Sequence, residues 1–154
     1  MTTRTGVCRV TLLLLPLLLA SCSRSTVSAS GVHEVVIGCD ADLLAYDVKE
    51  ISVPAGASIQ ITFRNDAPTS QVYHNLLVVM PGTAMDVARR GVEVGYDVGW
   101  VPDIPEVLAA TRLLKPGEED TITFVAPLEP GDYPYICTVP GHCPAMSGVL
   151  RVRK

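Results

Sequence analysis

The segment Cys137-Thr138-Val139-Pro140-Gly141-His142-Cys143-Pro144-Ala145-Met146 places a thiol, an imidazole and a thioether in one short loop. Four residues separate Cys137 from His142, and three separate His142 from Met146. Taken singly, each has an ordinary role: a strand cysteine is a small buried hydrophobe, a methionine fills core, and Pro-Gly-His is a turn. Together they offer a soft thiolate, a borderline imidazole and a weak axial thioether. A copper ion that must be stable as both Cu(I) and Cu(II) requires that mixture. A trigonal set needs a second imidazole, and only His33 and His74 remain. His74 is the candidate because it precedes the apolar run Leu76 to Met80, which can hold it rigidly. His33 sits at the edge of a polar stretch and reads as a surface histidine.

Other copper chemistries lack their ligands. Cys143 follows His142 directly, but no second histidine follows it, and the chain has no His-X-His pair for a trinuclear cluster. Cys143 stands six positions after Cys137, which is not the two-cysteine spacing of a binuclear centre. An oxidase or reductase would need such a further centre, so the expected protein is not an enzyme. A copper delivery or sensing protein is the alternative, although cargo sites favour exchangeable Met and His clusters over a thiolate locked at a strand end.

The elements that must position these ligands read as short strands. From His33 onward, runs with period-two apolarity alternate with Pro, Gly, Asn and Asp, the pattern of an antiparallel β-sandwich. Strands are expected at His33 to Ile37, at Leu44 to Val53 with an irregularity at Asp47 to Glu50, and at Ser58 to Arg64, where Ile59, Ile61 and Phe63 share one face. Leu76 to Met80 is apolar throughout and reads as buried on both sides. The Ile122 and Phe124 alternation echoes Ser58 to Arg64 and suggests two similar edges of one sandwich. A further strand is expected near Leu108 to Leu114, and a last hairpin pairs Gly131 to Cys137 with Gly148 to Arg153. Thr83 to Arg90 is the one credible helix, with Thr83 as its cap and Gly91 as its stop. Gly95 to Pro105 reads as an irregular flap. Tyr133 stands where a corner tyrosine would lock a crossover by hydrogen-bonding back to the main chain, or is an ordinary core aromatic.

The start of the chain reads as an export signal: Arg4 and Arg9, an apolar run from Val10 through Leu19, then small residues. Leu19-Ala20-Ser21-Cys22 resembles the bacterial lipoprotein processing box, which implies lipidation of Cys22 and a membrane anchor. Residues 1–21 are then the signal peptide, 22–32 the lipidated terminus and tether, and 33–154 the domain. The chain carries 12 basic and 16 acidic residues. Loss of Arg4 and Arg9 takes its formal charge from −4 to −6, which argues against nucleic acid as a partner. With Cys8 in the leader, Cys22 lipidated and Cys137 a ligand, Cys39 and Cys143 are left over. In an oxidising compartment they form a disulfide or stay as two buried thiols.

The ligand loop and the separate His74-Asn75 resemble the cupredoxins, the type 1 blue copper proteins, and the domain from His33 to Lys154 is similar to auracyanins and azurins. The loop spacing is azurin-like, while Tyr133-Pro134-Tyr135-Ile136-Cys137 and Gly148-Val149-Leu150 look closer to auracyanin. The resemblance implies an all-β Greek-key sandwich of about eight strands with one short helix, holding one copper ion. It implies His74, Cys137 and His142 as equatorial ligands and Met146 as the axial one, with Asn75 tied to Thr138 between the two ligand-bearing loops. It also sets Cys39 at the copper end of the sandwich, from which a Cys39 to Cys143 disulfide is expected. The implied function is one-electron transfer by a monomer, with His142 as the electron's exit. The implied partners are redox proteins such as a cytochrome, an oxidase or a photosynthetic reaction centre.

Overall fold

In the computed structural model, residues 31–40, 44–66 and 72–154 are described, so the signal peptide, the tether and Cys22 lie outside the described residues. Alternation of apolar and polar residues forms the strands. In β5 (Ser58–Arg64), Ile59, Ile61 and Phe63 are fully buried while the residues between them are partly exposed. β5 is the middle of a three-stranded sheet, flanked by β1 (Val32–Ile37) and β8 (Glu119–Val125). The similar patterns of β5 and β8 therefore belong to adjacent antiparallel strands, not to two edges: Ile61 lies opposite Ile122 and Ile59 opposite Phe124. Their apolar faces coincide because paired residues point to the same side of a sheet.

The second sheet has five strands in the order β4 (Glu50–Pro54), β10 (Ser147–Arg153), β9 (Gly131–Ile136), β6 (Leu77–Val79), β7 (Val107–Ala110). A two-residue ribbon, β2 (Cys39–Asp40) with β3 (Ala45–Tyr46), lies between the first strands. The expected second strand, Leu44 to Val53, is thus two pieces, broken where Asp47 turns back and its carboxylate accepts from the Gly38 N–H. The sandwich is mixed and not purely antiparallel, since β1 runs parallel to β5 and β4 parallel to β10. Each parallel pair joins strands from opposite ends of a crossover, an arrangement that no local pattern encodes.

Side chains from the two sheets meet in one core that includes Ile59, Ile61, Phe63, Leu150 and Val152, each worth about 1.5–3 kcal/mol on burial. Tyr46 and Tyr135 pack at its centre with their rings 5.4 Å apart. Tyr135 crosses its partner Gly148 on β10 to donate its hydroxyl to the Val48 carbonyl, 2.7 Å away. A Cβ at residue 148 would fall 2.1 Å from the Tyr135 ring, so only glycine lets that ring pass. Tyr133 donates its hydroxyl to the Glu129 carbonyl at 2.9 Å, the corner arrangement, and is also buried.

Helix α1 (Ala84–Val94) is longer than expected. Thr83 precedes it but does not cap it; its hydroxyl donates to the Met80 carbonyl instead. Gly91 does not stop the helix, which continues for nearly another turn before Gly95 ends it with positive φ. The glycine is there for proximity: a Cβ at residue 91 would lie 2.6 Å from the Trp100 carbonyl oxygen and 3.1 Å from Thr138 Cβ. The flap after the helix holds a short 3-10 turn, Tyr96–Val98.

Candidate metal centre

His74 is held at a sheet edge by a two-way bridge, its N–H donating to the Leu114 carbonyl and the Leu114 N–H returning to its own. Leu114 is in turn gripped by Asn65, whose amide donates to the Leu114 carbonyl at 3.1 Å and the Val72 carbonyl at 2.9 Å. Cys137 leaves the end of β9, and Met146 precedes β10, so the hairpin itself closes the loop. The Cys137 N–H donates to the Met146 carbonyl at 3.1 Å, and both the Ala145 and Met146 N–H groups donate to the His142 carbonyl. The loop is therefore one compact turn with His142 at its outer end.

Three of the predicted ligands converge. The nearest donor atoms of His74, Cys137 and His142 all lie within 4.8 Å of one another. Cys137 Sγ is 3.9 Å from His74 Nδ1 and 3.6 Å from His142 Nδ1, and the two rings are 5.0 Å apart. Met146, fully buried, completes the loop beside them. His33 is on β1, paired with Ile59, and takes no part. Two imidazole nitrogens and a sulfur directed at one point, in a site closed to water at His74 and Cys137, fit a copper ion by both donor type and arrangement. The far nitrogen of His74, Nε2, is buried and finds no hydrogen-bond partner among the described residues.

The electrostatics match metal ligation better than a free acid or base. Burial first, and then the nearness of His142, push the His74 pKa down to about 4, so its ring is neutral at ordinary pH. Burial also lowers that of His142. Burial raises the Cys137 thiol to about 12, against the opposing pull of backbone N–H groups of Asn75 and Val139. Those two N–H groups are poised to stabilise a thiolate once a cation replaces the proton.

Asn75 ties the two ligand segments together as expected. Its Nδ2 donates to Thr138 Oγ1 at 2.8 Å, and its Oδ1 accepts from the Thr138 N–H at 2.9 Å. The flap joins the same knot: Asn75 Nδ2 also donates to the Gly99 carbonyl, and Thr138 Oγ1 donates to the Trp100 carbonyl at 2.7 Å. Behind it, Tyr46 donates its hydroxyl to the Asn75 carbonyl at 2.8 Å. Asn65, Tyr46 and the flap carbonyls went unrecognised in the sequence. Only the fully polar character of Asn65 at the end of an otherwise apolar-faced strand hinted at a buried role.

The expected Cys39 to Cys143 disulfide is not formed. Cys39 donates its thiol to Asn65 Oδ1, behind the Leu114 bridge that holds His74, and packs in the main core. Cys143 packs in a second apolar cluster with Val87 and Ile136, its sulfur 3.8 Å from the Ala84 carbonyl and 3.8 Å from Met85 Sδ. The ligand loop turns Cys143 toward the helix.

Residues 33–153 match the model of the copper binding proteins of the plastocyanin/azurin family, and the chain belongs to that family. It is a cupredoxin with a His74, Cys137 and His142 copper site and Met146 beside it. The chain is 38% identical to auracyanin-A of Chloroflexus aurantiacus over 128 residues, covering 81% of this chain and 77% of that protein. It is 29% identical to azurin of Pseudomonas aeruginosa over 147 residues, covering 94% and 93%. The solved structure of auracyanin A, a blue copper protein of C. aurantiacus, superposes with a TM-score of 0.74 at 35% identity, covering 80% of this chain and all of that one.

Proposed function

We propose that this chain is a one-electron carrier that moves single electrons between membrane-associated redox proteins and transforms no substrate. The observation that carries the reading is the convergence of His74 Nδ1 and His142 Nδ1 on Cys137 Sγ within a knot of hydrogen bonds. When bound, copper supplies the Cu(I)/Cu(II) couple. The residues do the rest. Asn75 and Thr138 hold the two ligand segments at a fixed separation, so that little rearrangement accompanies a change of charge. The buried His74, Cys137 and Met146 exclude water from their part of the site. His142 alone among the ligand set is partly exposed, which makes its ring the route by which electrons leave.

Around His142, Pro140, Gly141, Pro144 and Ala145 are exposed and carry no charge, which suits a small, transient docking face. The partners we propose are a cytochrome, an oxidase or a photosynthetic reaction centre, met by a monomer. Export and lipidation at Cys22 would keep it at a bacterial membrane surface, facing the periplasm or cell exterior. Among the described residues no helix is long and apolar enough to cross a membrane.

Visible absorption and electron paramagnetic resonance of the copper-loaded protein test the reading. An intense thiolate-to-copper band that bleaches reversibly on reduction, and that Cys137→Ser abolishes, is the expected result. Colourless copper surrendered readily to a chelator would overturn it in favour of copper delivery.

A further inference from the structure

Cys143 serves neither the copper centre nor a disulfide, yet its sulfur is not simply enclosed in core. Its residue is among those lining a groove of about 220 Å³ between α1 and the ligand loop. At the lip of that groove stands Met85, a large apolar side chain left 63% exposed in the first turn of the helix. The two sulfurs, Cys143 Sγ and Met85 Sδ, are 3.8 Å apart. We propose that they form a second, surface site for Cu(I), through which the buried centre is loaded.

The donor chemistry selects the ion. A thiolate with a thioether is a soft pair suited to Cu(I), whereas calcium, magnesium and manganese need oxygen donors. No carboxylate or imidazole lines the groove, and its one charged residue is the cation Arg89, so a hard divalent ion finds nothing to hold it. Geometry agrees. With metal–sulfur bonds of roughly 2.3 Å, donors 3.8 Å apart subtend an angle of roughly 110° at a shared ion. Two bent donors leave the coordination shell open on the groove side. An open shell favours exchange over storage, since an incoming donor molecule can bind before it lets go.

Position supplies the link to the buried centre. Cys143 is bonded to the ligand His142, and Thr138 and Val139, the residues after Cys137, form part of the same groove wall. An ion held by Cys143 therefore lies against the outer side of the loop that carries Cys137, His142 and Met146. Transfer inward is a ligand exchange with no change of oxidation state. Binding replaces the Cys143 S–H proton by copper and releases it to solvent. Passage to Cys137 returns a proton to Cys143 and releases the one from Cys137, so loading frees one proton in all.

The test is an anaerobic Cu(I) titration of the reduced chain, loaded beforehand with one copper per chain at the buried centre, against a chromogenic Cu(I) chelator, followed by X-ray absorption. The proposal expects a second equivalent per chain with two sulfur neighbours. Cys143→Ser should abolish it, and Met85→Leu should weaken it at least tenfold while keeping the visible band of the buried centre. Loading of copper-free Met85→Leu from a Cu(I) complex should be at least tenfold slower than wild type. A single equivalent in the wild type, or a second one indifferent to Met85→Leu, would refute the site. Unchanged loading in Met85→Leu would refute its role. Absence of the visible band would count against the electron-carrier reading instead, because the second equivalent is measured independently of colour.

Discussion

Asn75→Leu removes the knot between the two ligand segments while keeping the number and branching of the side chain's heavy atoms. Three hydrogen bonds vanish: from Nδ2 to Thr138 Oγ1, from Nδ2 to the Gly99 carbonyl, and from the Thr138 N–H to Oδ1. Thr138 Oγ1 keeps its bond to the Trp100 carbonyl, and the half-buried Gly99 can turn its carbonyl toward water. The Thr138 N–H has no such escape, because the residue is 1% exposed. Three net bonds of about 0.5–1.5 kcal/mol each, with one buried donor left unpaired, amount to about 3–4 kcal/mol. Such a loss is a large fraction of the stability of an ordinary domain. Urea denaturation of the copper-free protein should show the midpoint falling by that equivalent with an unchanged slope. Copper affinity, measured by chelator competition, should fall roughly 10- to 100-fold, as when other supports of metal ligands are removed. Thr138→Val should cost less, and the double variant should be non-additive because the two side chains share a bond. A loss below about 1 kcal/mol in Asn75→Leu, or additive behaviour, would refute the idea that this pair fastens the site.

Gly148→Ala should destabilise by about 3 kcal/mol, since its methyl meets the Tyr135 ring at 2.1 Å and would also break the ring's bond to Val48; thermal unfolding measures it, and a near-neutral result would contradict the packing. Gly91→Ala should lower stability by about 1–3 kcal/mol although alanine is the better helix former, because the new methyl meets the Trp100 backbone; a stabilised variant would show that the helix shifts freely. Copper-free protein should lose stability as pH falls from about 6.5 to about 4. In that window the unfolded chain binds a proton that folded His74 refuses, and the loss should level off below it; denaturation across pH checks the sign. Copper binding at pH 7 to 8 should release about one proton, from Cys137, because both imidazoles are already neutral there; calorimetry in buffers of different ionisation enthalpy counts it.

Some of this molecule follows from sequence alone. Cys137, His142 and Met146 lie within ten residues of each other, so loop closure by one hairpin suffices to bring them together, and their donor types name the metal. His74 was found because a buried apolar run follows it, and its neighbour Asn75 came with it through family resemblance. The strand faces of β5 and β6 were equally clear, because alternation and continuous apolarity are local consequences of burial. Tertiary structure decided what depends on residues distant in the chain. The parallel pairing of β1 with β5 and of β4 with β10 follows from crossovers that leave no local trace. Gly91 looked like a helix stop, but its reason is the Trp100 carbonyl that packs on it. Cys39 and Cys143 were left over in an oxidising compartment, and family resemblance made them a pair, yet a disulfide needs two β-carbons a few ångströms apart. The fold instead sends one thiol to Asn65 and the other to Met85. Sequence names the donors, because chemistry belongs to residue types; only packing chooses their partners.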